Sequence, residues 1–213
     1  MSTLEGAFDE LVERFGTGSY RDEAARARHE FDERTGRVFE EDELYESRTL
    51  AFLEWYVLTW PIVGVGRTPV AVALEDELAT EEARAAWFAW ARSHLSVFGI
   101  AEMREGEVEL EDLVGGGRFV VNERRALHGV SMGDVLTARL IGWRDKIRFG
   151  RTFSYHPAAA WPAIQRQAER MLAEGGRRPD VVDFVESTQV KALRYKHVAP
   201  EKLYEERIGQ VVR

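Results

Sequence analysis

The sequence predicts an α+β fold, and three observations predict it. Apolar residues recur at helical spacing from the N-terminus to about residue 95. From Val97 the pattern changes towards alternation and holds to about residue 156, with glycine-rich punctuation between short runs. Helical spacing then returns to the end of the chain. The reading is a helical part at 1–95, a small antiparallel SH3- or OB-like β-barrel at 96–156, and C-terminal helices at 157–213 packing on the rest.

Each element has its own justification. Residues 4–15 place Leu4, Phe8, Leu11, Val12 and Phe15 on one helical face, and Gly16 supplies the stop. Residues 20–34 hold few apolar positions and many charges, as expected of a peripheral helix rich in ion pairs. In the stretch from Glu40 to Pro61 the acids are expected in the first helical turn, where they suit the dipole. Leu44, Phe52, Trp55 and Tyr56, with Leu58 nearby, make its wide apolar face, and Pro61 ends it. A loop at 61–68 leads to a helix at about 69–78, then to Thr80 as N-cap of a long helix at 81–94. Trp87, Phe88, Trp90, Ala91, His94 and Leu95 fall on or beside one face of that helix.

Three short strands follow, with turns at Glu105-Gly106 and Gly115-Gly116-Gly117. A turn near Gly133-Asp134 opens a fourth, and a tight connection at Arg144-Asp145 joins it to a fifth. Trp161, Ile164, Ala168, Met171 and Leu172 set the next helix, stopped by Gly175-Gly176. A further helix is expected from about Val181 to Lys196, and Pro200 can start a last short one.

Composition bounds the chemistry. The chain has 213 residues, 45% hydrophobic and 11% aromatic, as expected of a soluble globular protein. With no cysteine, disulfides, thiolate catalysis and cysteine-based zinc sites are excluded. The N-terminal stretch lacks a basic region and a long apolar run, so no signal peptide is expected. The most apolar segment, 50–65, is broken by Glu54 and Pro61, so neither a spanning helix nor a membrane partner is expected. Cytoplasmic location follows as the expectation. The net charge of −8 is unevenly spread. Residues 1–117 carry 11 Lys and Arg against 26 Asp and Glu, a net of −15, whereas 118–213 carry 18 against 11, a net of +7. Such asymmetry suits internal docking, pairing with a second copy, or a basic surface for an acidic partner.

Phosphate loops and common catalytic patterns are not present. The segment GVGRTP at 64–69 has arginine where a P-loop needs lysine, and the triple glycine at 115–117 leads into a strand, with no helix N-terminus to hold an anion. Both loops therefore read as turns needing positive φ. His29, His94, His128, His156 and His197 share no metal-ligand spacing, and no G-x-S-x-G elbow occurs. No catalytic residue, metal or cofactor is expected.

The basic surface is the stronger candidate. Arg118, Arg124, Arg125, Arg139, Arg144, Lys146, Arg148 and Arg151 lie on or near the strands, interleaved with Phe119, Trp143, Phe149, Phe153 and Tyr155. Small barrels that bind single strands use cations for phosphates and aromatics for stacking. Strand alternation can equally send the aromatics inward and leave the arginines merely outside. The expected binding set is Arg118, Arg124, Arg125, Arg139, Trp143, Arg144, Lys146 and Arg148.

The segments AFLEWYVL, GRTPVAVALED, SHLSVFGI, VELEDLVGGGRFVVNER and GDVLTARL, over roughly residues 44–155, resemble a loose group of uncharacterised bacterial proteins. These pair an F-x-x-W helix with a small barrel whose last hairpin reads G-D-x-L-x-A-R-L. Some members carry a SEC-C zinc-binding tail, which this cysteine-free chain lacks. The resemblance implies a fold and no activity. The function expected is a non-catalytic cytoplasmic interaction or regulatory protein. It would bind a protein partner, or itself, through the barrel's basic face or the aromatic helix at 44–60. Two alternatives stand beside it: single-stranded nucleic-acid binding by the barrel, and an enzyme or nucleotide-responsive protein with a site between barrel and helices.

Overall fold

A computed structural model describes residues 3–123 and 130–205. The architecture is α+β, with eight α-helices and five strands among the described residues. Chain contacts divide it into two compact units. The first comprises 1–33, 38–94 and 140–152, and the second 34–37, 95–139 and 153–213.

The first unit opens with α1 (Leu4–Gly16), capped by Thr3, whose hydroxyl accepts the Gly6 N–H at 2.9 Å. Helix α2 (Arg21–Thr35) carries the expected ion pairs, among them Arg28–Asp32 at 3.0 Å, yet it also buries Ala27 and Phe31. Helix α3 runs Tyr45–Thr59. The acids at 40–43 precede it in a turn, because the Asp42 carboxylate accepts the Phe39 N–H at 2.8 Å and holds the chain out of helix. Only Glu46 lies in the first turn. Helix α4 (Pro69–Leu74) ends before the expected 78, where Asp76 turns back to take the Leu78 N–H at 3.0 Å. Helix α5 (Glu81–Ala91) starts at the Thr80 cap and stops three residues short of the expected end, so His94 opens a strand and is not on a helix face.

The core of this unit is aromatic. Phe8, Phe15, Phe52, Tyr56, Trp87 and Trp90 are all buried in one cluster with Ile141. Phe8 and Trp90 meet at 4.6 Å between ring centroids. Each polar tip finds a partner: the Tyr56 hydroxyl donates to the Phe15 carbonyl at 2.6 Å, and burial pushes its pKa up to about 12.

The strands are β1 (His94–Arg104), β2 (Glu107–Asp112), β3 (Arg118–Asn122), β4 (Val135–Trp143) and β5 (Lys146–His156). Their order is β3-β2-β1-β4-β5 in one antiparallel sheet that is not closed, with β3 and β5 at its ends. The closed barrel expected from alternation is thus replaced by an open sheet. An interior strand explains part of the difference: β4 is buried without interruption from Val135 to Ile141, so both its faces are covered.

In the second unit, α6 (Trp161–Ala173), α7 (Arg178–Arg194) and α8 (Pro200–Glu205) pack with Val97 and Val135 around Ala163, Ile164, Val181 and Val185. Trp161 lies over Gly99 so closely that a Cβ there would stand 2.0 Å from the indole. Among the described residues no helix is long and apolar enough to cross a membrane.

Candidate functional site: a basic hairpin

The two glycine-rich loops come first, because their amides are already engaged. Buried Asp112 accepts the amides of Val114 at 2.9 Å and Gly115 at 3.0 Å, and the Ser96 hydroxyl at 2.7 Å. The loop's donors therefore hold an internal carboxylate, not a ligand phosphate. Gly116 and Gly117 then turn the chain at φ of 71° and 96°. The loop at 60–68 is held likewise: buried Glu23 accepts the Trp60 indole N–H at 2.6 Å and the Val63 amide at 3.2 Å.

Among the described residues, His29, His156 and His197 lie in separate surroundings, and His128 lies outside the described residues. His29 faces Glu33 on exposed α2, and His197 lies beside Tyr195. His156 is wholly buried, with Nδ1 2.7 Å from the Tyr204 hydroxyl and Nε2 3.0 Å from that of Thr137. Burial, with the Glu186 charge adding to it, raises the Tyr204 pKa. This network tying α8 to the strands was not legible in the sequence, since His156 stands at a strand end with no spacing to its partners. No group of three or more His, Asp or Glu among the described residues could hold a metal ion.

The expected binding residues separate into distinct environments. Arg118 pairs with Glu109 of β2 at 3.1 Å. Arg139, on the interior strand β4, is 6% exposed. Arg124 and Arg125 lie outside the described residues. Arg151, near the strands but outside the expected set, pairs with Asp9 at 3.0 Å and lies over Phe8. Trp143, Arg144, Lys146 and Arg148 remain, and one hairpin carries them all.

That hairpin is built from the connection outward. Arg144-Asp145 links β4 to β5, and Arg144 has φ of 57°, the single positive φ among described non-glycine residues. Two-residue hairpin loops call for positive φ at the first central position, which glycine supplies without strain. An L-residue held there costs on the order of 1 kcal/mol. The Arg144 guanidinium stands 5.7 Å from the Trp143 ring centroid, within cation–π reach. Trp143 itself is half-buried against the first unit's core and anchors the tip. Lys146 and Arg148, two apart on β5, share one face and are exposed, while Phe149 on the other face is buried. Arg144 is exposed as well. Among the described residues none of these three cations forms a salt bridge.

The aromatic helix has a different role. Phe52, Tyr56 and Val57 of α3 are core residues, and Trp55 packs at 5.6 Å from Phe31 and 5.5 Å from Trp60. The aromatics near the strands divide: Phe119 meets Phe98 edge-on at 5.9 Å and Phe149 is buried, whereas Tyr155 is exposed. Comparison of the chain with family models, with curated proteins and with solved structures gave no match.

Proposed function

We propose that this chain is a non-catalytic interaction or regulatory protein that binds an acidic protein segment through the β4–β5 hairpin. One observation carries the reading: Arg144 is kept at a backbone position suited to glycine, beside two further cations with no salt bridge among the described residues. Backbone strain is retained where the surroundings and a role sustain it, and here it presents a guanidinium at the tip. A cysteine-free chain also suits a reducing cytoplasm. The negative net charge disfavours a long polyanion and leaves a short acidic segment as the complement. The F-x-x-W stretch at Phe52–Trp55 and the G-D-x-L-x-A-R-L stretch at Gly133–Leu140 support kinship with the uncharacterised bacterial group as part of this proposal.

The test is titration of a glutamate-rich peptide into the intact chain at low and moderate salt. Binding should weaken as salt rises, and K146E/R148E should reduce affinity tenfold or more. Equal affinity for both proteins would reject the hairpin as the site.

Single-stranded nucleic acid is the second reading, favoured by the strand order. A three-stranded β1-β2-β3 meander, with the β4–β5 hairpin added on the free edge of β1, supports an OB-like Greek key. If a single-stranded oligonucleotide binds and the acidic peptide does not, this second reading replaces the first.

A further inference from the structure

The first unit carries a second set of charges with no salt bridge among the described residues. Between α2 and α3 the chain makes a turn in which Asp42 is engaged by its own backbone: its carboxylate takes the Phe39 N–H at 2.8 Å, and its N–H donates to the Phe39 carbonyl at 2.9 Å. This leaves Glu40, Glu41, Glu43 and Glu46 pointing into solvent, all exposed, and none forms a salt bridge among the described residues. Phe39 stands exposed beside them. The same unit thus holds four exposed carboxylates between Glu40 and Glu46 and three exposed cations at one hairpin, and among the described residues no salt bridge joins the two sets.

We propose that the acidic partner of the hairpin is the Glu40–Glu46 segment of a second copy of this chain. This inference rests on the hairpin reading above and names its occupant. Charge complementarity is the argument: Arg144, Lys146 and Arg148 of one copy meet Glu40, Glu41 and Glu43 of the next. Two copies can satisfy both patches reciprocally in a closed pair, or each hairpin can engage a different copy and give a ring or a chain. Exposed ion pairs are individually weak and are screened over about 8 Å at physiological salt. Assembly should therefore be reversible, concentration-dependent and lost at high salt.

Sedimentation velocity of the full chain tests this with charge reversals of both patches. The wild type should gain mass with concentration at about 20 mM salt and return to monomer at about 500 mM. K146E/R148E and E40K/E41K/E43K should each stay monomeric while keeping wild-type circular dichroism and melting. An equal mixture of the two reversed proteins should associate again, because each patch then finds its complement on the other variant. A monomeric wild type at low salt would overturn the inference, as would association unaffected by either reversal or a mixture that does not recover. The glutamate-rich peptide separates the two levels. If the hairpin binds it but the chain stays monomeric, the second-copy inference fails and the hairpin reading stands. If K146E/R148E changes neither peptide binding nor self-association, both fail.

Discussion

The Trp90 indole N–H donates to the Leu4 carbonyl at 2.9 Å. One turn earlier on α5, Trp87 donates to the Ala7 carbonyl at 2.8 Å. The spacing of three on α5 meets a spacing of three on α1, run in the opposite direction, so the two helices are locked antiparallel by paired indoles. Both indoles are buried, and each would leave a polar N–H stranded without its carbonyl.

Trp90→Phe should therefore cost about 1–2 kcal/mol, since it keeps a ring and removes the donor. Trp87→Phe should cost about as much. The double variant should lose less than the sum, because the pair braces one interface. Urea unfolding of the three proteins measures this; unchanged midpoints would show that the indole donors do not brace α1.

The triple-glycine loop should fail at Asp112 before it fails at its glycines. Asp112→Ala removes the acceptor for Ser96, Val114 and Gly115 together, with an expected loss of about 2–3 kcal/mol. Gly115→Ala should also destabilise, because a Cβ there would sit 2.3 Å from an Arg178 guanidinium nitrogen. That side chain can move aside, so the loss should be the smaller of the two. Added phosphate should stabilise neither variant, whereas a phosphate-dependent rise in melting temperature would restore the loop as an anion site.

Gly99 and Trp161 make a coupled pair. Gly99→Ala drives a methyl group into the indole and should cost about 1–3 kcal/mol or more. Trp161→Leu alone leaves a cavity. Combined, the two should be less damaging than their sum by at least about 1 kcal/mol. Strict additivity in thermal unfolding would contradict the close approach of ring and strand.

Arg144→Gly should separate stability from binding. Relief of the left-handed backbone should raise stability by about 0.5–1 kcal/mol, while loss of the guanidinium weakens acidic-peptide binding. A variant that is both less stable and equally good at binding would refute the role assigned to this position.

Glu23 sets a pH dependence. Burial alone would raise its pKa, but hydrogen bonds from Trp60, Arg26 and Val63 outweigh that and hold it below the usual 4.5. A depressed native pKa means the folded state favours the carboxylate. The stabilisation is full above 4.5 and is lost as pH falls through the lowered native value. Melting temperature should fall on acidification over that window, and Glu23→Gln should flatten this fall while lowering the neutral-pH value. Parallel curves for the two proteins would assign the acid sensitivity elsewhere.

The sequence by itself determined what depends on near neighbours. Helix α1 begins at its threonine cap and α5 at Thr80, because a hydroxyl three residues from an amide needs no distant partner. The glycine turns at 115–117 and Gly133, and the Arg144-Asp145 connection, were legible for the same reason. Alternation correctly marked the strands. Only the tertiary structure decided what covers them, since alternation records a buried face and is blind to whether helices or further strands bury it. So the expected barrel is an open sheet, and Arg139, apparently outward by parity, is buried on an interior strand covered on both sides. Glu54 and Arg48 are buried for the same reason: their surroundings come from residues far away in the chain. The basic residues were all visible as charges. Which of them found a carboxylate and which did not is a matter of distances between strands, and that selection narrowed a list of arginines to one hairpin.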